Sequence, residues 1–386
     1  MTERVYLDWN ATAPLRPEAR QAMLDALACA GNPSSVHAEG RAARAIVERA
    51  RQSIAQLAGS GAGGVVFTSG GTEANALALA SELDGRRFDR LLVSAVEHPS
   101  VLAGGRFLSD AVERISVDGE GRVDLAALTA RLAVLAGNGQ RALVSIMAAN
   151  NETGVLQPVM EAARIVHEAG AMLHVDAVQA FGRIPLSFSA LNVDMMTVSA
   201  HKIGGPKGVG ALILRPGLRP FPLMTGGGQE QGRRAGTENV AGIAGFGAAA
   251  AACARDMAAQ AVRLAALRAK LEDAVRAATP DVVIFGASAE RIANTTLLGR
   301  PGMRAETAVI AFDLEGIAVS SGAACSSGKV QPSHVLSAMG IVPDLARGAI
   351  RVSMGPDTTE SDVIRFLEAW KKVSEYITRA KPELAA

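Results

Sequence analysis

Residues 142–202, ALVSIMAANNETGVLQPVMEAARIVHEAGAMLHVDAVQAFGRIPLSFSALNVDMMTVSAHK, contain three apolar, β-branched runs set between polar turns and a helical stretch. The runs are ALVSIM ending at Met147, MLHVD ending at Asp176 and VDMMTVS ending at Ser199, with VMEAARIVHEA as helix between the first two. Such alternation predicts βαβ units and a largely parallel sheet covered on both faces. The pattern extends outward to VVFTS ending at Ser69, LLVSA ending at Ala95 and ALILR ending at Arg215, with EANALALASEL as a further helix. The expected class is therefore α/β.

Past this region the pattern changes. Val240 to about Ala278 is rich in Ala, Arg and Leu and predicts one long helix or a bent pair leading to a second unit. Expected strands follow at VVIF (282–285), AVIAF (308–312) and AIRVSM (349–354). A last helix is expected from about Ser361 to Ala380, with Asp357 or Thr359 as its cap. The expected division is a large cofactor-binding domain over 15–255, and a smaller α+β domain made of 1–14 and 256–386.

Lys plus Arg total 39 against 38 for Asp plus Glu, so no net field draws the chain to nucleic acid or an anionic membrane. The expected ligand is small. MTERVYLDWN carries charges and no apolar run of the secretory kind, and no apolar stretch is long enough for a bilayer. The three cysteines, Cys29, Cys253 and Cys325, lack the close pairing of a zinc site or disulfide framework and fit a reducing cytoplasm. Cys29 and Cys253 sit in alanine-rich helical contexts, where a cysteine acts as a small buried hydrophobe.

Open α/β sheets bind ligands at the carboxyl ends of their strands, and the unusual residues collect there. Ser69-Gly70-Gly71-Thr72-Glu73 is a turn into a helix whose free N–H groups suit a phosphate, although an ordinary capped turn needs similar residues. Lys202 follows a buried strand among small polar residues, a poor place for a solvated charge and a good one for an amine that forms Schiff bases. Lys207, in a glycine loop, reads as a surface charge. Asp176 ends a strand, where it either caps a turn or meets a cation such as a pyridinium nitrogen. Strand alternation puts His174 on the same face, as its packed neighbour.

In order along the chain, LDWNATAPL, GNPSSVH, FTSGGTEANALAL, EHPSVL, ANNETGV, HVDAVQAFG, SAHKIGGPKGVGAL, GRRAGTENV and SSGAACSSG resemble the cysteine desulfurases of the NifS/IscS type, within the aminotransferase class V group. The resemblance runs from residue 7 to about 355. It implies a pyridoxal-phosphate fold of the aspartate aminotransferase-like kind, with a mainly parallel seven-stranded sheet. It also implies that Lys202 binds pyridoxal 5'-phosphate covalently, Asp176 pairs with its ring nitrogen, Gln179 contacts its phenolic oxygen and His98 lies over the ring. Gly71, Thr72, Ser199 and His201 would hold the phosphate, and Thr237 would reach it from the second subunit of a homodimer. Asn151 would sit beside cofactor and substrate, and Arg351 would grip the carboxylate of L-cysteine with two parallel hydrogen bonds.

Each of these residues has a plainer reading. His98 and Asn151 suit turns, Thr237 a helix cap and Arg351 a structural ion pair. His37, His167 and His334 read as structural. Cys325 decides the reaction, because the run from Ser320 to Gly328 is too small and polar for a core and suits an accessible nucleophile. By resemblance Cys325 receives the substrate's sulfur as a persulfide, passes it to an iron–sulfur scaffold or other acceptor, and can transiently ligate a cluster. The alternatives are another class V reaction, such as transamination or selenocysteine cleavage, and a silent phosphate-binding scaffold. Two departures from the family's common pattern are Gly71 in place of alanine and Trp9 in place of tyrosine.

Overall fold

The computed structural model describes residues 4–322 and 333–380. Its central sheet has seven strands in the order Val65–Thr68, Gly210–Leu214, Met195–Ser199, Met172–Asp176, Ala142–Met147, Arg90–Ser94 and Val112–Ile115. Gly210–Leu214 is antiparallel to both neighbours and the remaining pairs are parallel. The reversal follows from chain length. Only a short turn joins Ser199 to Gly210, and a parallel crossover needs a dozen or more residues.

Alternation along the strands serves two cores. Val65 and Phe67 face the layer that contains Ile54, Leu132, Val166 and Phe246, while Val66 faces Leu77, Val101 and Met195. Arg90–Ser94, Ala142–Met147 and Met172–Asp176 are buried almost throughout, as strands covered on both faces must be. Val112–Ile115, which the sequence reading missed, is a half-exposed edge strand spelled VERI.

Val240–Ala278 is one helix of 39 residues. Its first half packs on the sheet through Ile243, Phe246 and Cys253. Its second half puts Leu264, Leu267, Leu271 and Val275 into a separate core with Phe312, Phe366 and Trp370, where the rings of Phe312 and Phe366 stack at 5.2 Å. Against this core lies an antiparallel sheet ordered Val283–Phe285, Thr295–Gly299, Ile350–Ser353 and Ser320–Ser321. The amino-terminal Val5–Tyr6 pairs in parallel with Ile317–Ala318.

Two expectations fail for physical reasons. AVIAF is not a strand but part of the helix Ala305–Leu314: Ala305, Ala308 and Phe312 are buried at helical spacing, while Ile310 and Leu314 are exposed. A short apolar run does not by itself distinguish the two. The EANALALASEL helix stops at Ala78, and Glu82–Leu83 folds back onto Arg86–Arg87. Asp84 and Gly85 both take positive φ there, as a two-residue hairpin turn requires. Cys253 is buried as expected, but Cys29 is only partly so. The last helix runs Glu360–Ala380, and Thr359 caps it by exchanging bonds with Asp362.

Candidate active site

A cavity of about 730 Å³ opens where Met147, Asp176 and Ser199 end their strands. It takes Gly71, Thr72, His98, Asn151, Gln179, His201 and Lys202 from the large sheet's loops, Gly322, His334 and Arg351 from the second unit, and Asn10 and Ala11 from the amino-terminal segment. The structure thus brings together every candidate residue except Thr237, which is exposed and outside this cavity, and Cys325, which lies outside the described residues.

At one end, the Gly71–Ala78 helix presents its first turn beside Ser199 and His201. Ser199 Oγ is buried and has no hydrogen-bond partner. A methyl on Gly71 would sit 3.0 Å from Val178 Cγ2, so glycine here keeps the turn close to the Asp176–Gln179 segment. His201 reaches Thr12 Oγ1 at 3.3 Å, and burial, aided by Lys202, depresses its pKa to about 4. The imidazole is neutral at pH 7.

At the other end Asp176 is 6% exposed. Its oxygens accept from Val178 N (3.0 Å) and Asn75 Nδ2 (2.9 Å). Asn75 also donates to Ser100 Oγ at 2.9 Å, and Ser100 meets His98 Nδ1 through both its hydroxyl (2.8 Å) and its backbone N–H (3.1 Å). Since an N–H donor faces Nδ1, the ring proton belongs on Nε2. Burial lowers the pKa of His98, so the neutral form persists. Beneath Asp176, His174 bridges Ser145 Oγ (2.8 Å) and Thr197 Oγ1 (2.9 Å) in full burial.

Lys202 follows Ser199 in a single tight turn and donates Nζ to the carbonyls of Asn10 and Ala11. Gln179 Nε2 donates to the same Asn10 carbonyl at 3.0 Å. Arg351, 3% exposed, donates to Asp8 Oδ1 (2.7 Å) and the Asn151 carbonyl (2.9 Å), while its Nε is buried and unpartnered. It is therefore ion-paired and also lines the cavity.

Besides Asn75 and Ser100, further contributors escaped the sequence reading. Asp8 and Asn10 lie in the LDWNATAPL motif, and Glu152 lies in ANNETGV, so motif membership was the available signal. Glu152 is buried, accepts from Ser333 Oγ at 2.6 Å, and burial pushes its pKa up to about 7. His334, read as structural, lines the cavity and hydrogen-bonds the Glu97 carbonyl at 2.8 Å. His37 caps a helix and His167 pairs with Asp194.

The aminotransferase class-V family model matches residues 5–366. A cysteine desulfurase of Cereibacter sphaeroides is 45% identical over 98% of both chains, and the cysteine desulfurase IscS of Dictyoglomus turgidum is 40% identical over 99% of this chain and 97% of its own. The solved structure of a NifS-like protein from Rickettsia africae superposes with a TM-score of 0.87 at 36% identity, covering 97% of this chain and all of the other. The chain belongs to the aminotransferase class V family and, within it, to the cysteine desulfurases, which work with pyridoxal 5'-phosphate.

Proposed function

We propose that the chain takes sulfur from L-cysteine, releases L-alanine and leaves the sulfur on Cys325. The observation that carries this reading is the joining of Lys202, Asp176 and Arg351 in one cavity, at strand ends, in a chain of this family. The cavity also fits the cofactor. A buried hydroxyl without a partner, Ser199 Oγ, stands beside a helix amino terminus where a phosphate would bind, and a buried carboxylate, Asp176, stands where a ring nitrogen would meet it. Gly71, Thr72, Ser199 and His201 would hold the phosphate, Gln179 the phenolic oxygen, and His98 the ring face.

When bound, pyridoxal phosphate supplies a carbonyl carbon for amines and a ring that withdraws electrons from the substrate's Cα. Lys202 would anchor it and would serve as the base that takes the proton from the substrate's Cα. Asp176, fixed by Val178 N–H and Asn75, keeps a positive charge favourable at the ring nitrogen. His98 offers Nε2–H as a proton donor. Arg351 and Asn151 orient the substrate carboxylate. The Cys325 thiolate then attacks the substrate sulfur: an S–S bond forms, the S–Cβ bond breaks, and its electron pair stays with the carbon that becomes the alanine methyl after protonation.

Around this chemistry we also place a homodimer in which Thr237 of one subunit reaches the other's phosphate, a cytoplasmic setting, and an iron–sulfur scaffold or other protein as sulfur acceptor, with Cys325 as a transient cluster ligand. The division into 15–255 and 1–14 plus 256–386 belongs to the same reading.

The test is absorbance of the purified protein before and after L-cysteine, with alanine and sulfide measured for the parent, Lys202→Ala and Cys325→Ala. A yellow parent making both products, a Lys202→Ala protein that loses nearly all activity, and a yellow Cys325→Ala protein that makes neither product are expected. Unchanged turnover in Cys325→Ala would move the reaction to a lyase that does not need the thiol.

A further inference from the structure

Arg183 stands behind the cavity wall, and its hydrogen-bond partners among the described residues are all neutral oxygens. Nη1 donates to Asn10 Oδ1 and Gln179 Oε1, both at 2.6 Å, and Nη2 to the carbonyls of Trp9 (3.4 Å) and Lys202 (3.3 Å). Neighbouring arginines have carboxylates, Arg16 with Asp256 and Arg351 with Asp8, whereas no carboxylate of the described residues ion-pairs with Arg183. Arg183 is half-buried, and a guanidinium partly withdrawn from water without a counter-charge is costly. Burial, reinforced by Arg351, accordingly depresses its pKa to about 10. Arg183 thus brings a positive charge, unpaired among the described residues, up to the residues that line the cavity.

Donor chemistry fixes what Arg183 does to its partners. A guanidinium has no acceptor, so the Gln179 amide must turn its oxygen to Arg183 and its nitrogen away. One hydrogen of Nε2 goes to the Asn10 carbonyl, and the second is left for a ligand in the cavity that Gln179 lines. Asn10 is held in the same way, its oxygen on Arg183 and its nitrogen on Asn151 O and Thr295 Oγ1. Its carbonyl receives Lys202 Nζ. Arg183 thus fixes the Gln179 amide and, together with Asn294, the Asn10 amide, the two residues that flank Lys202.

We propose that Arg183 is the positioning residue for the cofactor's ring oxygen: it locks the Gln179 amide with an N–H toward the cavity, and its charge stabilises an oxygen anion there. The proposal rests on pyridoxal phosphate occupying the cavity with its phenolic oxygen at Gln179. The other charged or titratable groups around Arg183 are Arg351 with Asp8, Lys202, His201, and Cys253 with Arg16 and Asp256.

The experiment is a pH titration of the visible absorbance of full-length, cofactor-loaded protein, with cofactor affinity measured separately on the apo-protein. In Arg183→Met the lost cation favours the protonated form, so the absorbance midpoint rises by about one pH unit, and affinity falls roughly tenfold. Arg183→Lys keeps the charge but not the fork, so its midpoint stays within about 0.3 unit of the parent while affinity still falls several-fold. A folded Arg183→Met protein with the parent's midpoint and affinity would overturn the proposal. If Arg183→Met does not fold, parent-like affinity in Arg183→Lys would do so. A parent without a visible cofactor band removes the underlying reading instead, which separates the two failures.

Discussion

Replacing Ser199 with alanine should move the apo-protein and the cofactor-loaded protein in opposite directions. In the structure Ser199 Oγ is buried with no partner. A desolvated hydroxyl without a hydrogen bond costs about 1–3 kcal/mol, so its deletion leaves the apo-protein as stable as before or up to about 1 kcal/mol more stable. On the proposed assignment the same hydroxyl would donate, in the loaded protein, to a charged phosphate oxygen, a bond worth about 1.5–3 kcal/mol. At about 1.4 kcal/mol per decade, its loss weakens cofactor binding roughly ten- to a hundredfold. Urea unfolding of the apo-protein at fixed concentration reads the first quantity, and titration of apo-protein with pyridoxal phosphate, followed by absorbance, reads the second. An apo-protein destabilised by more than about 1 kcal/mol would show the hydroxyl to be a structural donor. Unchanged affinity would remove it from the phosphate site, and either result refutes the reasoning.

Glu230 receives both terminal nitrogens of Arg51 at 2.8 Å and the Phe67 N–H at 3.0 Å, anchoring the loop that leads to Thr237. Glu230→Gln leaves the buried Arg51 guanidinium, 4.8 Å over the Phe67 ring, with only the exposed Glu48 at 3.2 Å as counter-charge, and should cost about 3 kcal/mol in urea unfolding. A cost below about 1 kcal/mol would mean that the pair is solvated in solution. His174 is held near 4 by burial, whereas an unfolded histidine titrates near ~6.5. Between those values the unfolded chain binds a proton that the folded chain refuses, so stability is lost as pH falls through that window and is unaffected above it. The full loss is on the order of 3 kcal/mol. Denaturation midpoints at neutral pH and near pH 4.5 should converge in His174→Gln; an equal acid drop in parent and variant would assign the lability to other groups.

The βαβ core was legible because its strands are buried on both faces and therefore spell continuous apolar runs. ALVSIM and MLHVD coincide with Ala142–Met147 and Met172–Asp176. Val112–Ile115 was not legible, since an edge strand needs an apolar residue only where it meets the layer beneath. AVIAF misled for the opposite reason. Its apolar residues are real, but the helix spends Ile310 and Leu314 on the surface. Within the site, Lys202 and Asp176 announced themselves by local context, a charged residue at the end of a buried strand. Arg183 carried no such signal, because its meaning comes from Asn10, 173 positions away in the chain.

That distance explains how the site is assembled. No local motif could bring the proposed cofactor lysine, a strand-end carboxylate and a second-unit arginine into one cavity, and the amino-terminal segment makes the junction. Asp8 holds Arg351, Asn10 holds Lys202, Gln179 and Arg183, and Trp9 lies so close to Gly355 that a methyl there would fall 2.0 Å from its ring. Trp9, the departure from the commoner tyrosine, is thus matched by the absence of a side chain at Gly355. Asn294 closes the same junction from the second unit, donating to Asn10 Oδ1 at 3.2 Å and to the Met354 carbonyl at 3.0 Å. The amino-terminal residues at this junction therefore also aim groups of the active site, and Asn10 gives a displacement of one core relative to the other a direct route to Lys202.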